Sequence, residues 1–189
     1  MPVPQEKRYT VADVMEWNDG ERWELISGVP VMMAPPARIH QKISGEIFAQ
    51  LHEYLKDKTC EVYPAPFAVR LFEQEHDTPK SVNTLVEPDI SVICDLSKLD
   101  DAGCKGAPDL IIEVLSPSSQ RHDRVTKFNL YLNAGVREYW IVDPVQKDVQ
   151  SFVLEDGRFA AKEFGTSGDQ IRVNVLDGCT IDLSLVFSE

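Results

Sequence analysis

The sequence predicts an α/β fold of the mixed α+β kind, one mixed sheet flanked by helices. Three observations carry that expectation. The run from Ile39 to Leu55 places Ile43, Ile47, Leu51 and Tyr54 on one stripe, the 3.6-residue period of an amphipathic helix. Asp109-Leu110-Ile111-Ile112-Glu113-Val114-Leu115 is apolar on both alternating faces except for one acid, which is the pattern of a central strand. A second helical stripe, Val125, Phe128, Tyr131 and Leu132, then leads into the buried run Glu138 to Val142, so strand and helix patterns alternate along the chain.

The remaining elements follow in order. Thr10 and Asp13 make a capping-box-like start to a short helix carrying Val11, Val14 and Met15. Trp23 to Ile26 and Val29 to Met33 are joined by Ser27-Gly28 as an N-terminal hairpin, with Pro30 holding the second strand to an edge. Gly45 weakens the long helix without breaking it. Glu61 to Phe72 alternates as a strand, Glu73 to Asn83 is turn-like, and Leu85 to Cys94 reads as the next strand. Asp95 to Pro108 is expected as a loop with room for a helical turn. Gly135 should stop the helix that begins near Asp123. Asp148 to Phe187 carries two Asp-Gly turns, Asp156-Gly157 and Asp177-Gly178, and is expected as a C-terminal antiparallel meander. Neither an internal repeat nor a linker divides residues 1–189, so one domain is expected.

Composition narrows the function classes. Thirty-one acidic residues against 19 basic ones give a net charge of -12. That balance favours solubility and disfavours non-specific attraction to phosphate backbones or anionic membranes. The apolar runs are far shorter than the roughly 20 residues of a bilayer span. Residues 1–8 lack the pattern of a secretory signal, which points to the cytoplasm. Cys60, Cys94, Cys104 and Cys179 show no regular spacing and are expected as free thiols, several in the core.

Two acids stand where a sheet should be apolar. An ionised Glu113 in the middle of its strand is costly to desolvate, by several kcal/mol, and so needs a partner. Asp89 opens the strand Glu87-Pro88-Asp89-Ile90-Ser91-Val92-Ile93, whose Ile90 and Val92 must face a core. If the two strands are neighbours, the carboxylates lie close together, and a cation between them would relieve their repulsion. Oxygen ligands around an open site suit Mg2+ or Mn2+. The bland alternative is that Asp89 caps a turn while Glu113 pairs with a lysine or arginine. A lysine is the natural third member, because an ammonium can orient water and stabilise charge on a phosphoryl group. Lys127, four residues before Tyr131 at the border of the helix stripe, is the best placed; its alternative is a solvated helix-face lysine.

Trp23-Glu24-Leu25-Ile26, Glu87-Pro88-Asp89-Ile90, Ile112-Glu113-Val114-Leu115-Ser116-Pro117-Ser118, Lys127 to Tyr131 and Gly135 to Pro144, in this order, resemble the Uma-two family of the PD-(D/E)XK nuclease superfamily. The resemblance covers nearly the whole chain. It implies a restriction-endonuclease-like core of helix, three strands, helix and strand, and a metal-dependent endonuclease acting on DNA phosphodiesters. It implies that Asp89 and Glu113 bind Mg2+ or Mn2+ with water activated by a lysine. The superfamily lysine two positions after Glu113 is replaced by Leu115, so the role passes by similarity to Lys127 on the next helix. Glu24 matches a recurrent family acid and is favoured over Glu46 as a further metal ligand.

Arg121, Arg124 and Lys127 form a local basic cluster that could hold a phosphate backbone, interrupted by Asp123. A solvated helix start is the equal alternative. His40 reads as a satisfied core or helix-start histidine rather than a ligand, and His52, His76 and His122 have no metal-binding spacing. The rival function is a non-catalytic nucleic-acid-binding or protein-interaction module on the same fold, favoured by the negative charge and the displaced lysine. The buried acids favour the enzyme. A hydrolase of RNA or of another phosphodiester is a third reading. Symmetric duplex cutting needs two sites and is compatible with a homodimer, though no interface motif is legible.

Overall fold

The computed structural model describes residues 7–116 and 122–188. Helix α1 (Val11–Glu16) starts on the expected box, in which the Thr10 hydroxyl and the Asp13 carboxylate each cap the other's backbone. Strands β1 (Trp23–Ile26) and β2 (Val29–Met32) form a two-stranded hairpin, with Pro30 on a strand that pairs on one side only. Helix α2 (Arg38–Leu55) buries His40, Ile43, Ser44, Ile47, Leu51 and Leu55. Burying each of the larger aliphatic side chains contributes roughly 1.5–3 kcal/mol.

The expected strand Glu61 to Phe72 is instead two. A cis peptide bond at Ala65-Pro66 separates β3 (Glu61–Pro64) from β4 (Val69–Arg70), and the two join different sheets. Of the run Leu85 to Cys94, only β5 (Ile90–Ile93) is regular strand. Leu85 and Val86 make isolated bridges to Leu25 and Val69, and Pro88 has no N–H to extend a ladder. The expected loop after Asp95 contains a 3-10 turn (Leu96–Lys98) and strands β6 (Leu99–Asp100) and β7 (Gly103–Lys105), which form a small sheet with β4.

Strand β8 (Leu110–Val114) is central, as its unbroken apolar run requires. A π-helical segment (His122–Lys127) continues into α3 (Phe128–Ala134), which stops at Gly135 in the left-handed conformation with φ 84°. Strand β9 (Glu138–Asp143) then returns parallel to β8, the connection that parallel neighbours demand. Strands β10 (Asp148–Glu155) and β11 (Arg158–Thr166) extend the same sheet through the Asp156-Gly157 turn. The rest departs from a continuous meander: β12 (Gln170–Arg172) and β13 (Thr180–Asp182) pair separately, and α4 (Leu183–Val186) follows.

The central sheet runs β11-β10-β9-β8-β5-β3 and is antiparallel except at β8–β9. Its two faces bury separate cores. Ile90, Val92, Leu110, Ile112, Val114, Trp140 and Val142 pack with α2 and the C-terminal elements, whereas Ile93, Ile111, Leu115, Tyr139 and Ile141 pack with Leu130 and Tyr131 of α3. Two-residue periodicity therefore sends Glu113, between Ile111 and Leu115, to the α3 face.

The cysteine expectation requires correction. Cys60 and Cys94 are joined in a disulfide, while Cys104 and Cys179 are free and buried. The antiparallel pairing Glu61↔Ile93 places Cys60 and Cys94 opposite each other, a proximity that their separation of 34 residues does not announce. Among the described residues no helix is long and apolar enough to cross a membrane.

Candidate active site

The β5–β8 register pairs Ile90 with Ile112, and one step further along it brings Asp89 opposite Glu113. Asp89 Oδ2 accepts the Val114 N–H at 2.8 Å, so the two carboxylates meet at the C-terminal end of β8. Glu113 is 4 % exposed. Its Oε1 accepts from Lys127 Nζ at 2.9 Å and from the Tyr131 hydroxyl at 2.6 Å. Both donors stand four residues apart on the helical crossover, on the side facing the sheet.

Lys127 is 5 % exposed, so the solvated alternative for it does not hold. Its ammonium also lies 2.9 Å from Glu24 Oε1 and 3.9 Å from Asp123 Oδ1. Glu24, 2 % exposed, arrives from the hairpin: the Leu25–Leu85 bridge docks β1 beside the chain leading to Asp89, and Glu24 Oε1 accepts the Glu87 N–H at 3.1 Å. The π-helical turn presents Asp123 and Lys127 together; such turns are rare and recur at functional sites.

On the far side, His40 Nε2 is 3.0 Å from Asp89 Oδ2, and His40 Nδ1 is buried with no hydrogen-bond partner among the described residues. Four carboxylates, Glu24, Asp89, Glu113 and Asp123, thus surround one ammonium and one imidazole. Burial pushes the Glu113 carboxyl well above its ordinary range, and the charges of Asp89, Asp123 and Glu24 add to this against the pull of Lys127. Burial works the other way on Lys127, but Glu113, Glu24 and Asp123 overcome it and hold the ammonium charged well above its usual value. Burial, followed by the Glu113 charge, keeps the Tyr131 phenol protonated as a donor. His40 is depressed by burial yet ends above its ordinary value, because Asp89 hydrogen-bonds it and attracts its proton, with the Val114 backbone and Asp123 adding to this.

The family profile described as Putative restriction endonuclease, Uma2, matches residues 11–184. The chain belongs to the Uma-two family. An uncharacterized protein of Synechocystis sp. is 24 % identical over 147 residues, spanning 76 % of this chain and 73 % of that one. The crystal structure of a putative nuclease belonging to DUF820 from Anabaena variabilis superposes with a TM-score of 0.72 at 17 % identity, covering 95 % of this chain and 97 % of the other. At that identity the likeness shows the fold alone, a mixed α+β one.

In this Uma-two chain the structure brings Asp89, Glu113, Lys127 and Glu24 together. Glu46 lies elsewhere on α2, where it accepts from Gln50 at 3.3 Å. Of the expected basic cluster, Lys127 is buried among acids and Arg124 Nη2, one-third exposed, pairs with Asp143 Oδ2 at 3.1 Å. Arg121 lies outside the described residues. Sequence reasoning passed over three neighbours of the site. His40 sits within an apolar stripe, Asp123 follows basic residues, and Tyr131 belongs to a core stripe. Their signal is their spacing from Lys127 and from the start of α2, which acquires meaning only once the helices are docked.

Among the described residues no three His, Cys, Asp or Glu side chains are grouped as ligands of one ion. The donor chemistry nevertheless fits a hard divalent cation. Such ions are commonly held by one or two carboxylates, with water and phosphate oxygens completing the shell. Asp89, immediately before β5, and Glu113 on β8 are two such carboxylates.

Proposed function

We propose that the chain is a metal-dependent endonuclease that hydrolyses DNA phosphodiester bonds, with Asp89 and Glu113 holding Mg2+ or Mn2+ and Lys127 acting on water. The observation that supports this reading best is the buried Lys127 ammonium, 2.9 Å from both Glu113 and Glu24, at the sheet end where Asp89 arrives. When bound, the divalent ion polarises the phosphoryl group and lowers the pKa of water. Lys127 orients the attacking water and offsets negative charge developing on the phosphoryl oxygens. Glu24 keeps that ammonium charged and in place, and would be a further ligand of the ion. Tyr131 fixes one oxygen of Glu113. Arg124, one-third exposed and shared with Asp143, supports the substrate backbone on the rim, with Arg121 preceding it in the chain.

The direct test is cleavage of supercoiled plasmid, single-stranded DNA and RNA with Mg2+, Mn2+ or EDTA. Metal-dependent nicking of DNA that EDTA abolishes is the expected result. Inert protein that also binds no Mn2+ by calorimetry would return the cluster to a purely structural role and favour the non-catalytic module.

His40 is assigned a positioning role, through its 3.0 Å contact with Asp89. His40→Ala should lower cleavage and Mn2+ affinity by about 10–100-fold, the usual effect of removing a partner of a ligating carboxylate. His40→Gln, which can still donate, should recover most of both. Equal cleavage by His40→Ala and the parent would remove the role.

A further inference from the structure

A pocket of about 270 Å3 lies on the α2 side of the sheet, lined by Arg38, Lys42, Lys147, Pro144, Phe187 and Ser188. Its position follows from strand pairing. Glu113 pairs with Ile141 and Val114 with Val142 in the parallel β8–β9 ladder, so Pro144 lies just beyond the same sheet end. Pro144, three residues past Ile141 and one strand over, has a backbone separation of roughly 10 Å from Glu113, whose side chain turns to the α3 face. From the other side, Arg38 stands two residues before His40 on α2.

Three cations from two parts of the chain line this pocket, and among the described residues none has a carboxylate within ion-pair distance. Asp148 follows Lys147 in the chain without pairing to it. In a protein with 31 acidic residues and 19 basic ones, three cations together without an acidic partner among the described residues are the unexpected arrangement, and Lys42 Nζ donates only to the Ser188 backbone oxygen on the pocket wall. Local structure holds them there against their own preferences. Lys147 has φ 54°, in the left-handed region, within a turn whose Val145 and Gln146 N–H groups are held by Asp143 Oδ1. Asp143 in turn pairs with Arg124 on the segment that carries Lys127. Arg38 occupies the first turn of a helix that has no acidic residue there, where a positive charge opposes the helix dipole.

We propose that this pocket is a phosphate subsite, taking a phosphate of the substrate strand that flanks the scissile one. The inference rests on the nuclease reading and adds to it a place where an acidic protein grips a polyanion. Phosphate contacts of this kind set register on the strand and carry no sequence information. They also make binding salt-dependent, since each neutralised phosphate releases counterions.

The test compares the parent with Arg38→Glu/Lys147→Glu in binding of short labelled single-stranded and duplex DNA across a salt series, with Ca2+ replacing Mg2+. Affinity should fall about tenfold or more for every sequence tried, and the slope of log affinity against log salt should shrink by about 1 to 2. In cleavage, KM should rise while kcat changes little. Arg38→Glu alone should raise Tm by about 1–3 °C through the helix dipole, so weaker binding cannot be ascribed to unfolding. Orthophosphate competing as well as DNA for the parent, with DNA affinity and salt slope unchanged in the double variant, would show a free-anion site and overturn the proposal while leaving the nuclease reading intact. A parent that neither binds nor cuts DNA would overturn both.

Discussion

Lys127→Met should destabilise the fold by about 3–5 kcal/mol, the range for stripping one partner from a buried ion pair. For a chain of this size that is a fall in Tm of roughly 10 °C or more. The lost ammonium is, among the described residues, the one cation within 2.9 Å of both Glu113 and Glu24, so its removal leaves two buried carboxylates without it. The sign with pH is fixed by the direction of its shift. A lysine held above its ordinary value of 10.5 contributes fully below that value and loses its contribution only as pH rises through the higher folded value. The defect should therefore be present throughout the neutral range and shrink in acid, where the orphaned Glu113 carboxyl takes up a proton. Adding Glu113→Gln to Lys127→Met should recover part of the loss, since neighbours in one charge network are not additive. Thermal and urea unfolding of the four proteins measure this, and a loss below about 1 kcal/mol for Lys127→Met would show the cluster to be wet and weakly coupled.

The same cluster shows what a sequence can disclose. Glu113 was legible because a charge in an apolar run contradicts its own strand, and the contradiction demanded a partner. Lys127 could be nominated by helical spacing, but its burial depends on the π-helical turn and on docking of the crossover against β8. His40 could not be nominated, because a histidine in an apolar stripe looks the same whether it faces aliphatic carbon or Asp89. Glu138 makes the converse point. It too is buried in a strand, but Trp140 Nε1, Asn174 Nδ2 and the Val175 N–H satisfy its oxygens, so an acid in a strand signals unusual chemistry only when its partners are themselves charged. The disulfide and the split of Glu61 to Phe72 were hidden for another reason: both depend on which strands become neighbours. The long helix, the central strand and the β8–α3–β9 crossover depend on local period alone, and there sequence and structure agree.

Glu113→Gln should separate function from stability in the opposite sense to Lys127→Met. Cleavage should fall by about 10³-fold, because the amide keeps the shape but not the charge that holds the divalent ion and polarises the site. Folding should not suffer. The amide oxygen can still accept from Lys127 and Tyr131, Lys127 keeps Glu24 at 2.9 Å, and one negative charge leaves a group of four acids. Glu113 is a carboxyl whose folded value is raised, so protons bind it more tightly in the native state than in the unfolded one. Its ionisation then subtracts from stability progressively as pH climbs above the ordinary value of 4.5. Glu113→Gln should accordingly match or exceed the parent in Tm near neutral pH, with the advantage fading as pH approaches 4.5. A variant that is both inactive and markedly less stable at neutral pH would mean that the ionised Glu113–Lys127 pair holds the fold together. Inactivity with equal or greater stability would mean that the acid is kept at a cost to the fold, the expected condition of a carboxylate retained for chemistry.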